Sequence, residues 1–82
     1  MTTAELDTRI RAAFAKILHV DPTSLADDTR RGELEAWDSM AHLDLVAELE
    51  TQLSVKIEPD DALAIETFGD ARQVVGRLLA DA

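Results

Sequence analysis

Cysteine is absent from this 82-residue chain. That excludes disulfides, thiolate metal sites and a cysteine nucleophile, so any thiol chemistry would need a thiol brought from elsewhere. Aromatic residues make up only 4% of the chain against 46% hydrophobic residues overall, so the core has to be built from Leu, Ile, Val and Ala. Runs of β-branched residues are nearly missing while Ala, Leu, Glu and Asp abound, a composition of helices rather than strands. Long apolar runs are missing too, and none approaches the length needed to span a bilayer. The stretch Met1-Thr2-Thr3-Ala4-Glu5 offers neither a basic start nor an apolar segment, which predicts a cytoplasmic location. A chain this short holds one modest core and no deep cleft of its own, so one domain over 1–82 is expected.

Basic residues are scarce where acids are dense. From Glu33 to Asp70 eleven acids face a single base, Lys56, and the whole chain carries a net charge of −9. Such a field repels nucleic acid and anionic membranes, steers toward basic protein surfaces and favours a monomer. The plainer reading is that the acids serve solubility.

The first helix is expected after Thr2, where Thr2-x-x-Glu5 has the spacing of a capping box. Leu6, Ile10, Ala13, Phe14 and Ile17 form its apolar stripe, with Asp7, Arg9, Arg11 and Lys16 opposite. Asp21-Pro22 stops it. From Pro22 to Asp38 no period is sustained, which predicts a long surface loop pinned by Leu25, Leu34 and Trp37. Asp38 or Ser39 caps a second helix, whose stripe is read as Met40, Leu43, Val46, Leu49 and Leu53. Ser54 to Ile57 form an extended link. Pro59, followed by Asp60 and Asp61, suits the first turn of a short third helix running to about Ile65. Thr67-x-x-Asp70 opens the last helix, with Phe68, Ala71, Val74, Val75, Leu78 and Leu79 inward. The fold class is all-α, a four-helix bundle with a long first loop and a short third helix.

The chemistry concentrates at Ser39. Its hydroxyl falls in the first turn of the second helix, where free backbone N–H groups and the dipole favour a phosphate ester by about 0.3–1 kcal/mol. Asp38 offers an oxygen that a divalent cation could share with a diphosphate donor. Taken alone, Asp38 and Ser39 are better explained as simple capping residues, because Asp-Ser before an apolar helix is common in any helical protein. A Ser39–His42 dyad is geometrically conceivable, but no glycine-rich nucleophile turn or oxyanion cradle accompanies it. His42 is read as a surface or partner-facing side chain, and His19 as a residue favoured at a helix C-terminus. Glu58, Asp60 and Asp61 lack calcium-loop spacing and read as a solvated first turn. Trp37 fits either the core or a contact with an arm or partner, and is counted here with the partner-facing residues.

The run Trp37-Asp38-Ser39-Met40-Ala41-His42-Leu43-Asp44-Leu45-Val46-Ala47-Glu48-Leu49-Glu50 resembles the phosphopantetheine attachment region of acyl carrier proteins, in which Asp-Ser-Leu or Asp-Ser-Met opens an acidic helix. The likeness runs over almost the whole chain in helix order, length and acidity. It implies 4′-phosphopantetheine, taken from coenzyme A by a phosphopantetheinyl transferase and attached at Ser39. It implies that Asp38 positions the donor, with magnesium present only transiently in the transferase complex. It further implies that Met40, Asp44, Ala47 and Glu50, with Glu48 beside them, lie on the face that loading and processing enzymes read with basic patches. The resulting expectation is a non-catalytic carrier of acyl or aminoacyl thioesters, the alternative being an unmodified carrier-like interaction module. Ala36 stands where many carriers of fatty acid synthesis have glycine, and Trp-Asp-Ser is similar to free-standing carriers of specialised pathways.

Overall fold

In the computed structural model, which describes residues 1–81, Thr2 caps helix α1 (Thr3–Leu18). Its hydroxyl accepts from the Glu5 N–H at 3.1 Å, and the Glu5 carboxylate reaches back toward the Thr2 N–H at 3.5 Å. The helix ends at Leu18, short of the expected Asp21-Pro22 stop, because His19 turns into the left-handed region with φ 56°. Asp21 instead caps a 3₁₀ turn over Pro22–Ser24, accepting from the Thr23 N–H at 2.8 Å.

The loop expected from Pro22 to Asp38 is largely ordered by bonds to the chain ahead of it. A second 3₁₀ turn spans Arg31–Glu33. Leu25 and Trp37 are buried and Leu34 packs against the core, so all three pins hold. The backbone of this loop also pairs with the entry to the last helix: Arg31 N–H donates to Glu66 O at 2.8 Å, Phe68 N–H to Thr29 O at 3.0 Å and Gly69 N–H to Asp27 O at 2.9 Å. Gly69 permits this approach, since a Cβ there would meet the Asp27 carbonyl oxygen at 2.8 Å. Gly69→Ala is expected to cost about 1–3 kcal/mol through that clash, read as a lower urea midpoint with an unchanged slope.

Helix α2 covers Ser39–Leu53, α3 Pro59–Ala64 and α4 Phe68–Ala80. The Thr67-Asp70 box forms despite the short acid: Asp70 N–H donates to the Thr67 hydroxyl at 3.0 Å, and Thr67 N–H to the Asp70 carboxylate at 3.1 Å. Helix α1 packs on α2 and α4, and α3 rests on α4. Among the described residues the fold is four α-helices with one isolated backbone bridge, Arg30 to Thr67, and no strand. The core is mostly aliphatic, but its centre is aromatic: Phe14 meets Trp37 and Phe68 edge to face, each at 5.1 Å between ring centres.

The expected stripe of α2 needs correction. Met40 is 77% and Leu43 68% exposed, and the buried residues are His42, Leu45, Val46, Leu49 and Leu53. At about 100° per residue these five share one side, and Met40, Leu43 and Ala47 fall well away from it. Leu78 and Leu79 of α4 are half-buried at the edge of the core.

A charged network ties α1, the loop and α4 together. Asp7 accepts from Arg11 at 2.7 Å and from Arg72 at 2.9 Å. Arg72 also binds Asp27, while Arg11 donates to the carbonyls of Pro22 at 2.7 Å and Leu25 at 2.8 Å. Both guanidinium groups lie over the Phe68 ring. The Arg11 hydrogen bond, with that of Arg72 behind it, holds the Asp7 carboxyl below its usual range. A carboxylate with a depressed folded pKa stabilises above its unfolded value and loses that contribution as pH falls through the folded one. Asp7→Asn should therefore lower stability by about 1 kcal/mol at neutral pH. The gap to the parent should close as pH drops below about 4, which chemical denaturation at several pH values measures.

Candidate functional site

Ser39 is the first residue of α2 and is exposed. Asp38, with extended backbone, is the N-cap, and its carboxylate accepts from the Ala41 N–H at 2.8 Å. The cap thus belongs to Asp38, which leaves the Ser39 hydroxyl free of that duty at the positive end of a 15-residue helix. The other two serines are placed differently. Ser24 donates its hydroxyl to the Asp21 carbonyl at 2.6 Å. Ser54 sits at the opposite, negative end of α2, in the left-handed region with φ 53°, where a phosphate would be repelled by the helix carbonyls.

Behind Ser39 lies a buried polar pair that corrects two expectations. Trp37 is 1% exposed, so of its two readings the structure gives the core one. Its indole N–H donates to His42 Nδ1 at 3.0 Å, and the two rings stack with 25° between their planes. His42 is likewise buried rather than surface or partner-facing. Because the indole can only donate, Nδ1 must be unprotonated, so Nε2 carries the proton and donates it to the Ala62 carbonyl at 2.8 Å. A neutral imidazole therefore joins α2 to α3 and leaves no nitrogen free to activate Ser39, which removes the dyad. Each such bond contributes roughly 1 kcal/mol, and losing one partner leaves a buried group whose desolvation costs about 1–3 kcal/mol.

The outward face of α2 carries Met40, Asp44 and Ala47, all exposed, together with Leu43. The two glutamates expected there are engaged within the molecule. Glu48 accepts from Gln52 at 2.7 Å and from Lys16 at 3.2 Å, and these bonds, Gln52 first, lower its pKa. Glu50 accepts from the Ile57 N–H at 2.9 Å, fastening the link that follows α2. The acids near α3 also do not converge: Asp61 binds Arg77 and Glu58 lies 3.6 Å from Lys56. An open depression of about 380 Å³ borders Ser39, lined by Arg31, His42, Leu43 and Leu63. Arg31 and Leu63 are distant from Ser39 in sequence and belong to no local motif, so only the fold brings them there.

The family model described as "Phosphopantetheine attachment site" matches residues 8–75. The chain is also 30% identical over 80 residues to "Acyl carrier protein 2" of Ralstonia nicotianae (strain ATCC BAA-1114 / GMI1000), covering 98% of this chain and 99% of that protein. The chain belongs to the acyl carrier protein family. Its fold agrees: a solution NMR structure of a holo acyl carrier protein from Geobacter metallireducens superposes with a TM-score of 0.81 at 26% identity. That match covers 93% of this chain and 86% of the other. As an acyl carrier protein it is a carrier rather than a catalyst, and phosphopantetheine is its family's cofactor. No helix among the described residues is long and apolar enough to cross a membrane.

Proposed function

We propose that Ser39 is the tether for the phosphopantetheine arm and that the chain, acting as one carrier unit, shuttles acyl or aminoacyl groups between enzymes in the cytoplasm. The observation that carries this reading is the placement of the three serines. Ser39 alone combines an exposed hydroxyl, the first position of a long helix and a neighbouring acid that already caps that helix.

A separate phosphopantetheinyl transferase would move the group from coenzyme A onto the Ser39 oxygen, and this chain would supply the nucleophile and the docking surface. The second carboxylate oxygen of Asp38, not engaged in the cap, suits a transient magnesium ion shared with the donor. When bound, the arm supplies the thiol that the cysteine-free chain lacks, and holds the cargo as a thioester.

Docking would use the outward face of α2. Met40, Leu43 and Ala47 give it an apolar centre, and Asp44 and the acids around it meet basic patches on loading and processing enzymes. Glu48 and Glu50 act on that face mainly through field strength, since their carboxylates are hydrogen-bonded internally. Exposed pairs of this kind contribute little each but speed encounter, which suits a carrier that must leave every partner. Trp-Asp-Ser with Ala36 ahead of it fits a free-standing carrier of a specialised pathway.

Intact mass of the full chain after incubation with an active transferase and coenzyme A tests the reading. One arm per chain is expected. An unchanged mass under conditions that modify a control carrier would overturn it.

A further inference from the structure

The interior behind Ser39 is filled with rings that hold one another. His42 forms part of the wall of the depression at Ser39, stacks on Trp37 and bonds to it. Trp37 packs edge to face on Phe14, and Phe14 does the same on Phe68. These aromatic side chains are each at most 1% exposed, and His42 is 5% exposed. The seam between α2 and α3, which borders the depression beside Ser39, is closed by the His42 bond to Ala62. Entry of an alkyl chain there would part that bond, displace Trp37 and strand a buried donor and acceptor without partners. Among the described residues no buried side-chain polar atom lacks a partner, so the closed arrangement is fully satisfied and gives nothing back on opening.

Outside that seam the surface is apolar and unpaired. Leu43 and Leu63, from α2 and α3, are each 68% exposed and line the depression beside Ser39. Arg31 adds positive charge at its rim, next to a stretch from Glu33 to Asp70 whose only base is Lys56. From these features, and resting on the reading of Ser39 as the tether, we propose that this carrier keeps its cargo outside the bundle. The arm and its acyl group lie in the depression between Leu43 and Leu63, and the cargo class is short or polar acyl groups rather than long alkyl chains. Trp37 and His42 are the residues that set this choice, by occupying the path inward.

The test loads the full chain through a transferase with acetyl-, hexanoyl- and decanoyl-coenzyme A, checks each product by intact mass, and compares methyl and indole NMR resonances. The expected result is that the decanoyl form shifts the methyls of Leu43 and Leu63. The Trp37 indole N–H and the methyls of Leu45, Leu49 and Ile65 stay where they are in the acetyl form. Hydroxylamine should cleave all three thioesters at equal rates. Movement of the Trp37 or core resonances, or cleavage that slows as the chain lengthens, overturns the proposal while leaving the tether intact. Unmoved Leu43 and Leu63 methyls overturn it as well. Failure to load any of the three overturns the tether, and this inference with it. In Leu63→Ser, an exposed position on α3 outside the docking face of α2, the shift of the Leu43 methyls with acyl length should shrink.

Discussion

Ser39→Ala is expected to abolish attachment of the arm and to leave the fold unchanged. Both halves of that expectation come from the same geometry. The hydroxyl is exposed and the N-cap bond to Ala41 is made by Asp38, so the substitution removes no capping interaction and trades one exposed side chain for a good helix former. Stability should stay within about 0.5 kcal/mol of the parent. Attachment, in contrast, should fall to nothing, because neither remaining serine offers an equivalent oxygen. The Ser24 hydroxyl is committed to the Asp21 carbonyl, and Ser54 lies at the negative end of α2. Intact mass after transferase treatment gives the first readout and a urea melt gives the second. A variant that still gained the arm would move the tether elsewhere. A variant that lost the arm by unfolding would be recognised from the melt.

Trp37→Ala should be the most destabilising single change in the chain. It removes the largest fully buried side chain, opens a cavity against Phe14 and leaves His42 Nδ1 without its donor. Truncation of a buried aromatic of this size costs about 3–5 kcal/mol, against a total of about 5–15 kcal/mol for a typical domain. A fall in the thermal midpoint of roughly 15–30 °C follows for a chain of this length. Because Trp37 is the only tryptophan, circular dichroism rather than fluorescence should follow the melt. If Trp37 were a partner-contact residue, the same substitution would leave the midpoint nearly unchanged and weaken docking instead. His42→Gln separates packing from polarity, since an amide can replace part of the bridge but not the stacked ring. Its loss should fall well short of that of Trp37→Ala.

The helices were legible in the sequence where the signals are local. Thr2 with Glu5, Thr67 with Asp70, and Pro59 ahead of two acids all mark helix starts that the structure contains. The phase of α2 was not legible in the same way. Met40, Leu43, Leu45, Val46, Ala47, Leu49 and Leu53 place apolar groups on more than one side of it, so spacing alone allows two stripes. The deciding residue is His42, a polar side chain facing the core because Trp37 and Ala62 satisfy both its nitrogens. A hydropathy pattern passes over such a residue. Gly69 against Asp27, and Asp7 against Arg72, depend on segments far apart in the chain, and nothing near either residue announces its partner. At the site, Asp38 and Ser39 were readable as a cap and a hydroxyl at a helix start. The internal bonds of Glu48 and Glu50, and the depression shared with Arg31 and Leu63, belong to the fold.

The most direct measurement is tandem mass spectrometry of a proteolytic digest of the transferase-treated protein. The phosphopantetheine mass should reside on the peptide containing Trp37-Asp38-Ser39-Met40, with fragment ions placing it on Ser39. An adduct on Ser24, Ser54 or any threonine, or an unmodified Ser39 peptide beside a modified chain, would contradict the tether assigned here.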